Sequence, residues 1–167
     1  MKFSTEVEMI EVVFERFHDQ DYVEKGYDLY VMKNGPGDPL YVGISTRSIW
    51  ERWFGWNGHM VWDGNIIYGT SSVGRKIEDH LPDSLKWKIQ LWTLKDCIKF
   101  CERELKRTNR HPDIRFMEPF MIQKLSPILN GSHNLRPGID TTPKSQKEIE
   151  REKCLDQIYK EVFEKSK

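Results

Sequence analysis

The feature that most constrains this chain is a pair of short apolar runs separated by a turn-rich hexapeptide. Residues 27–33 read Tyr-Asp-Leu-Tyr-Val-Met-Lys and residues 40–44 read Leu-Tyr-Val-Gly-Ile. Both have the aromatic and β-branched composition of strands. The intervening Asn34-Gly35-Pro36-Gly37-Asp38-Pro39 cannot continue either strand. Two strands this close in sequence predict an antiparallel β-hairpin with a long connection. Gly35 and Gly37 resemble a phosphate loop only in being glycines, because no Lys-Ser/Thr follows them. A hairpin alone is not stable, so other elements must cover it.

Those elements can be read in outline. Residues 86–94 alternate polar with apolar and predict a third strand. Residues 5–17 predict a helix, from the capping-box form Thr5-Glu6-Val7-Glu8 and the spacing of Met9, Ile10, Val13, Phe14 and Phe17. Further helices are predicted from Ser45 to about Trp56, from Ser71 or Ser72 to about His80, over 95–107 and over 113–125. Pro119 within the last of these predicts a late start or a kink. Residues 59–70 show no clean period. Residues 135–146 read as a linker. Residues 146–165 form a final helix with Ile149, Leu155, Ile158, Tyr159, Val162 and Phe163 on one stripe. The expected fold class is α/β of the α+β kind, a small, mainly antiparallel sheet flanked by helices. The expected organisation is an N-terminal helical extension (1–26), a central domain (27–130), and a linker with a C-terminal helix (131–167).

Composition narrows the setting. No apolar run approaches the roughly 18 residues of a membrane span, and the first residues lack a signal peptide's pattern. Cys97, Cys101 and Cys154 are too few for a disulfide framework, and an intracellular location is expected. The 26 basic and 26 acidic residues exclude a strongly basic nucleic-acid binder. The charge is nevertheless segregated. Residues 84–135 hold ten basic and five acidic side chains, against three and seven in residues 1–25. A basic face balanced by an acidic one remains open.

One constellation carries chemistry. Leu29-Tyr30-Val31 lies in the first predicted strand and Tyr41-Val42-Gly43 in the second, the tyrosines eleven residues apart. Arg52 lies eleven further on, within Ser48-Ile49-Trp50-Glu51-Arg52-Trp53. Glu118 lies downstream, followed by Pro127 and then by Asn130 twelve residues after it. Over residues 27–130 this order resembles the GIY-YIG nuclease superfamily. Asp28 and Leu29 stand where that family has Gly and Ile, Val42 stands for the second Ile, and Pro119 follows Glu118. Trp56 occupies the position where many members have a histidine, and His59 is the nearest substitute.

The resemblance implies a metal-dependent endonuclease acting on DNA. Glu118 is then the carboxylate ligand of a Mg²⁺ or Mn²⁺ ion. Arg52 meets the charge that develops on the phosphate oxygens. Tyr30 is implied as the base, which requires its pKa to fall from the usual value near ~10. Tyr41 is implied to orient water or phosphate. Gly43 allows close approach of the next helix or the substrate, and Asn130 ties the loop after the Glu118 helix to the sheet. Lys95, Lys99, Arg103, Lys106, Arg107, Arg110 and Arg115 are candidates for phosphate contacts.

Each residue also has a plainer reading. Tyr30 and Tyr41 are ordinary aromatic strand residues if taken singly. Arg52 and the basic residues fit a solvated helix face, Glu118 is one acid among 26, and Gly43 fits a bulge. Trp50, Trp53 and Trp56 fit a core stripe better than a base-stacking platform. Only the joint pattern favours the nuclease, which at this length is compatible with a homodimer. The competing expectation is a non-catalytic nucleic-acid-binding or protein-binding module on the same fold.

Overall fold

The computed structural model describes residues 8–19, 26–108 and 111–166. In chain order the elements are β1 (Ile10–Val13), α1 (Phe14–His18), β2 (Leu29–Lys33), β3 (Pro39–Ile44), α2 (Ile49–Phe54), β4 (Met60–Asp63), β5 (Ile66–Gly69) and α3 (Ser72–Asp79). They continue with β6 (Lys88–Trp92), α4 (Leu94–Phe100), α5 (Glu102–Leu105), α6 (Ile114–Leu125) and α7 (Gln146–Glu164).

The expected hairpin is present. β2 pairs antiparallel with β3, setting Leu29 opposite Ile44 and Tyr30 opposite Gly43. β6 joins the other side of β2 and β1 joins β6, so the sheet runs β1-β6-β2-β3 with every pair antiparallel. The fold is thus α+β, a small antiparallel sheet of four strands flanked by helices. β2 is central, and Leu29, Tyr30, Val31 and Met32 are all fully buried. This explains why residues 27–33 lack a clean alternation.

Two cores form on opposite sheet faces. Tyr30, Met32, Leu40, Ile89 and Leu91 pack against Phe14, Phe17, Ile49, Trp53, Val73 and Ile77. Leu29, Val31, Val42 and Trp92 pack against Cys97, Cys101, Met117, Met121 and Ile122 from α4 and α6. Cys97 and Cys101 are therefore buried core thiols, and burial pushes them up to about 12 and about 11.

The helix expected over 5–17 is corrected. Residues 1–7, with most of its capping box, lie outside the described residues, and residues 10–13 form β1. Ile10, Val12 and Val13 are β-branched, and β6 offers them an open edge. Glu11 then accepts from Gln90 at 2.9 Å and pairs with Lys33 and Lys88 across the strands. Only Phe14–His18 is helical, so residues 10–18 belong to the sheet and core.

Other boundaries shift for local reasons. Ser48, not Ser45, caps α2 by accepting the Glu51 N–H. The segment without a period, 59–70, is the β4–β5 hairpin. The helix expected over 95–107 breaks at Cys101 into α4 and α5. α6 starts on its Asp113 cap and runs through Pro119, so Arg115, an exposed residue, loses its helical N–H partner. Residues 131–145 are not a loose linker. Asp140 pairs with Lys76 at 2.8 Å, and Thr141 donates to Asp38, binding this strap to the hairpin turn. Among the described residues no helix is long and apolar enough to cross a membrane.

Candidate active site

Tyr30 and Gly43 face each other across β2 and β3 on the same sheet surface. A Cβ on Gly43 would overlap the Tyr30 hydroxyl and ring. The glycine makes room for the tyrosine, rather than for a helix, a bulge or a substrate. Tyr41, two residues earlier on β3, lies on that surface too. The two tyrosine rings stack with centroids 6.2 Å apart.

α2 adds Arg52. Its neighbour Trp53 is fully buried against Phe14 and Tyr30 and fixes the helix on the core. Arg52 is left half-buried and donates to the Asn57 carbonyl at 3.4 Å. Arg47 donates to the Trp56 carbonyl at 3.2 Å. Two arginines therefore hold successive carbonyls of one turn, and that turn leads directly to His59.

His59 is 2% exposed. Its Nε2 lies 2.6 Å from the Tyr30 hydroxyl and its Nδ1 lies 2.7 Å from the Ser71 hydroxyl. Burial, reinforced by the Arg52 charge, pushes its pKa down to about 3. The ring is neutral, so one nitrogen donates and the other accepts. Ser71 also accepts the Gly74 N–H as the cap of α3. A side chain at Gly74 would collide with the His59 carbonyl, so a glycine is needed where α3 meets this loop. The result is a buried chain Tyr30–His59–Ser71, its imidazole packed between Tyr41 and Trp53.

Glu118 approaches from the other side of the sheet. It lies on α6, which packs on β3, the edge strand. Burial raises its pKa, while His133 and then Arg52 oppose that shift. Asn130 closes the same edge. Its amide donates to the Val42 carbonyl and accepts the Val42 N–H, both at 2.9 Å. Ile128 and Leu129 add backbone bonds to Pro39 and Leu40.

Burial is the largest influence on both tyrosines. It raises Tyr30 well above its ordinary value, with Tyr41 and Glu118 adding to the rise and Arg52 opposing it. Tyr41 is raised for the same first reason, and again Arg52 opposes. Tyr30 is 0% exposed with its hydroxyl turned to His59. Tyr41, by contrast, is only partly buried.

A divalent ion can be tested against the donors. Among the described residues no group of three His, Cys, Asp or Glu side chains comes together. A single carboxylate is the kind of protein ligand a hard cation takes when it keeps waters and shares substrate phosphate. Glu118 is such a carboxylate, partly buried, with burial raising its pKa and the His133 and Arg52 charges opposing the rise.

The remaining candidates scatter. Lys95, Lys99, Arg103, Lys106 and Arg107 sit on or just after α4 and α5, in the helix layer against the opposite sheet face. Lys106 pairs with Glu102 at 3.7 Å. Arg110 lies outside the described residues. Arg115 is one turn before Glu118 on α6. The tryptophan stripe divides, since Trp53 is buried and Trp56 is 84% exposed. Trp62 stacks on His18 at 3.9 Å. Asp28, where the resemblance expects glycine, accepts the Leu94 N–H at 2.8 Å and so adds a partner at the start of α4, whose own cap is Thr93. Ser71 and His133 were not foreseen. Ser71 was legible as a helix cap, but nothing local tied it to His59.

No family model, no curated protein and no solved structure matches this chain. What these residues can do chemically is therefore argued from the residues themselves.

Proposed function

We propose that this protein is a metal-dependent endonuclease that hydrolyses DNA phosphodiester bonds with a site of the GIY-YIG type. One observation carries the reading. Tyr30, Tyr41, Arg52 and Glu118 come from four elements, yet the Arg52 charge acts on both tyrosines and on the carboxylate. A cation, an acid and two phenols within electrostatic reach of one another suit an anionic substrate whose charge grows during reaction.

Arg52 would bind the non-bridging phosphate oxygens through its planar fork. Glu118, with substrate oxygens and water, would hold Mg²⁺ or Mn²⁺, which supplies Lewis-acid stabilisation of the phosphate and leaving oxygen. Tyr41 takes the proton of the attacking water. The water oxygen bonds to phosphorus, and the leaving oxygen departs with its bonding pair. The Tyr30–His59–Ser71 chain holds the Tyr41 ring and the Arg52 turn in register. An intracellular setting accompanies this reading, since Cys97, Cys101 and Cys154 are all free thiols.

The test is cleavage of supercoiled plasmid DNA in Mg²⁺ or Mn²⁺. Wild type is expected to cut, and Glu118→Ala and Arg52→Ala to lose about 10²-fold or more. Because Tyr41 must ionise from a raised pKa, the rate is expected to climb as pH rises above neutrality. Cleavage unchanged by both substitutions overturns the site. The deep burial of Tyr30 favours one other reading, a non-catalytic nucleic-acid-binding or protein-binding module of the same fold. DNA binding with no cleavage in any divalent metal would select it.

A further inference from the structure

α7 is fastened to the body only near its start. Glu148 binds Lys76 at 3.0 Å and also His80. Arg151 forks onto the buried Asp79 carboxylate at 2.7 and 2.9 Å. From Glu150 to Ser166 every residue of the helix and its end is exposed. Leu155, Ile158, Tyr159, Val162 and Phe163 are each between 51% and 63% exposed. By three- and four-residue spacing they continue the face that carries Glu148 and Arg151. The docked face therefore runs on as an apolar stripe beyond the body. Tyr159 and Phe163 already pack on each other with ring centroids 4.3 Å apart.

We propose that this stripe is covered by the same stripe of a second copy, the two α7 helices running antiparallel. Area is the first argument. Two aromatic side chains, which bury about 150–250 Å² each, and three smaller aliphatic ones, all just over half exposed, offer up to roughly 500 Å² per copy when fully covered. A pair then buries about 1,000 Å², the threshold of a specific interface. Charge is the second. Residues 150–165 carry five acids and four bases, which gives no attraction for a polyanion.

Direction follows from the sequence. A two-fold axis between Ile158 and Tyr159 sets Leu155 against the other copy's Val162 and Ile158 against its Tyr159. On one flank Asp156 then faces Lys160, and symmetry repeats the pair. A parallel pair instead brings Cys154 to Tyr159 and Glu161 to Ser166, with no ion pair. Opposed helix dipoles also favour the antiparallel arrangement. The pairing does not depend on whether the cleft cuts DNA.

Sedimentation equilibrium of the full chain tests it. Wild type is expected to be a reversible dimer. Leu155→Glu with Val162→Glu is expected to raise the dissociation constant by about a hundredfold or more, with circular dichroism and thermal unfolding of the body unchanged. Asp156→Lys should weaken the dimer and adding Lys160→Asp should restore it. Mild oxidation should cross-link Tyr159→Cys in a Cys154→Ser background. It should not cross-link wild type, because two-fold-related Cys154 residues lie nine positions, about 14 Å, apart along the pair. A wild-type monomer at all concentrations, or a dimer indifferent to Leu155→Glu/Val162→Glu, overturns the proposal. Cross-linking through Cys154 overturns the antiparallel arrangement.

Discussion

At Gly43 a side chain is missing because a neighbour fills its space. The sequence showed a glycine at a fixed distance from a tyrosine, but the reason lay across the strand pair, at Tyr30. His59 is a similar case. It stood out only as the histidine nearest to Arg52, whereas its two partners are 29 positions upstream and 12 downstream. Its buried, neutral state has a measurable consequence. With a folded pKa of about 3 and an unfolded value near ~6.5, the unfolded chain binds the extra proton between those limits. Stability from this group is therefore complete above about pH 6.5 and is lost as pH falls toward about 3. Between pH 7 and pH 4 the loss is on the order of 3 kcal/mol. Urea unfolding of wild type and His59→Gln at both pH values checks this. The acid-induced loss should shrink by about that amount in the variant, because the other titrating groups are shared. An equal loss in both proteins would mean that His59 titrates freely.

The same contrast between local and distant cause separates the elements. β2, β3, β6, α3 and α7 were legible because their composition and caps are local. β1 was not, since four residues at the edge of β6 take their conformation from partners 75 to 81 positions away. The β4–β5 hairpin has its turn at Asp63-Gly64-Asn65, but its outer face is so mixed that no period emerges. The edge of β3 shows how an element is finished by a side chain. Asn130, 9% exposed, supplies one donor and one acceptor to Val42 in place of a fifth strand. Asn130→Ala leaves both backbone groups unpaired in a buried setting, at a cost of about 2–4 kcal/mol. Asn130→Asp keeps the acceptor but sets a carboxylate oxygen against the Val42 carbonyl, so it should cost at least as much as alanine. Chemical unfolding gives the energies, and hydrogen exchange should show the Val42 amide losing protection in the alanine variant first. Unchanged exchange would mean that water replaces the asparagine at no cost. Because Tyr41 and Gly43 flank Val42, activity in the plasmid assay should fall with that protection.

For the whole molecule, the distribution of charge decides how a polyanion could approach. The basic stretch read from the sequence lies largely on α4 and α5, behind the sheet relative to Tyr30, His59 and Arg52. Part of it is paired internally, Lys106 with Glu102 and Lys124 with Glu104. The sheet stands between that layer and Tyr30, His59 and Arg52, so linear segregation of charge was a poor guide to the face that carries them. On the Tyr30 and Arg52 side, Arg47 and Arg52 hold adjacent carbonyls of the turn that exposes Trp56, whereas Arg115, one turn from Glu118, is on α6 in the opposite helix layer. If DNA enters the cleft, Arg47 and Arg52 set its affinity. Anisotropy of a labelled duplex on a Glu118→Gln background separates binding from cutting. Arg47→Ala is expected to weaken binding about three- to tenfold at low salt and to reduce the salt slope by about one phosphate contact. Lys106→Glu with Arg107→Glu is expected to change affinity by less than about twofold, since exposed charges more than a Debye length of about 10 Å from the duplex are screened. The reverse ranking would put the duplex on the helix layer, leaving the Arg52 and Glu118 cleft without a scissile bond within reach.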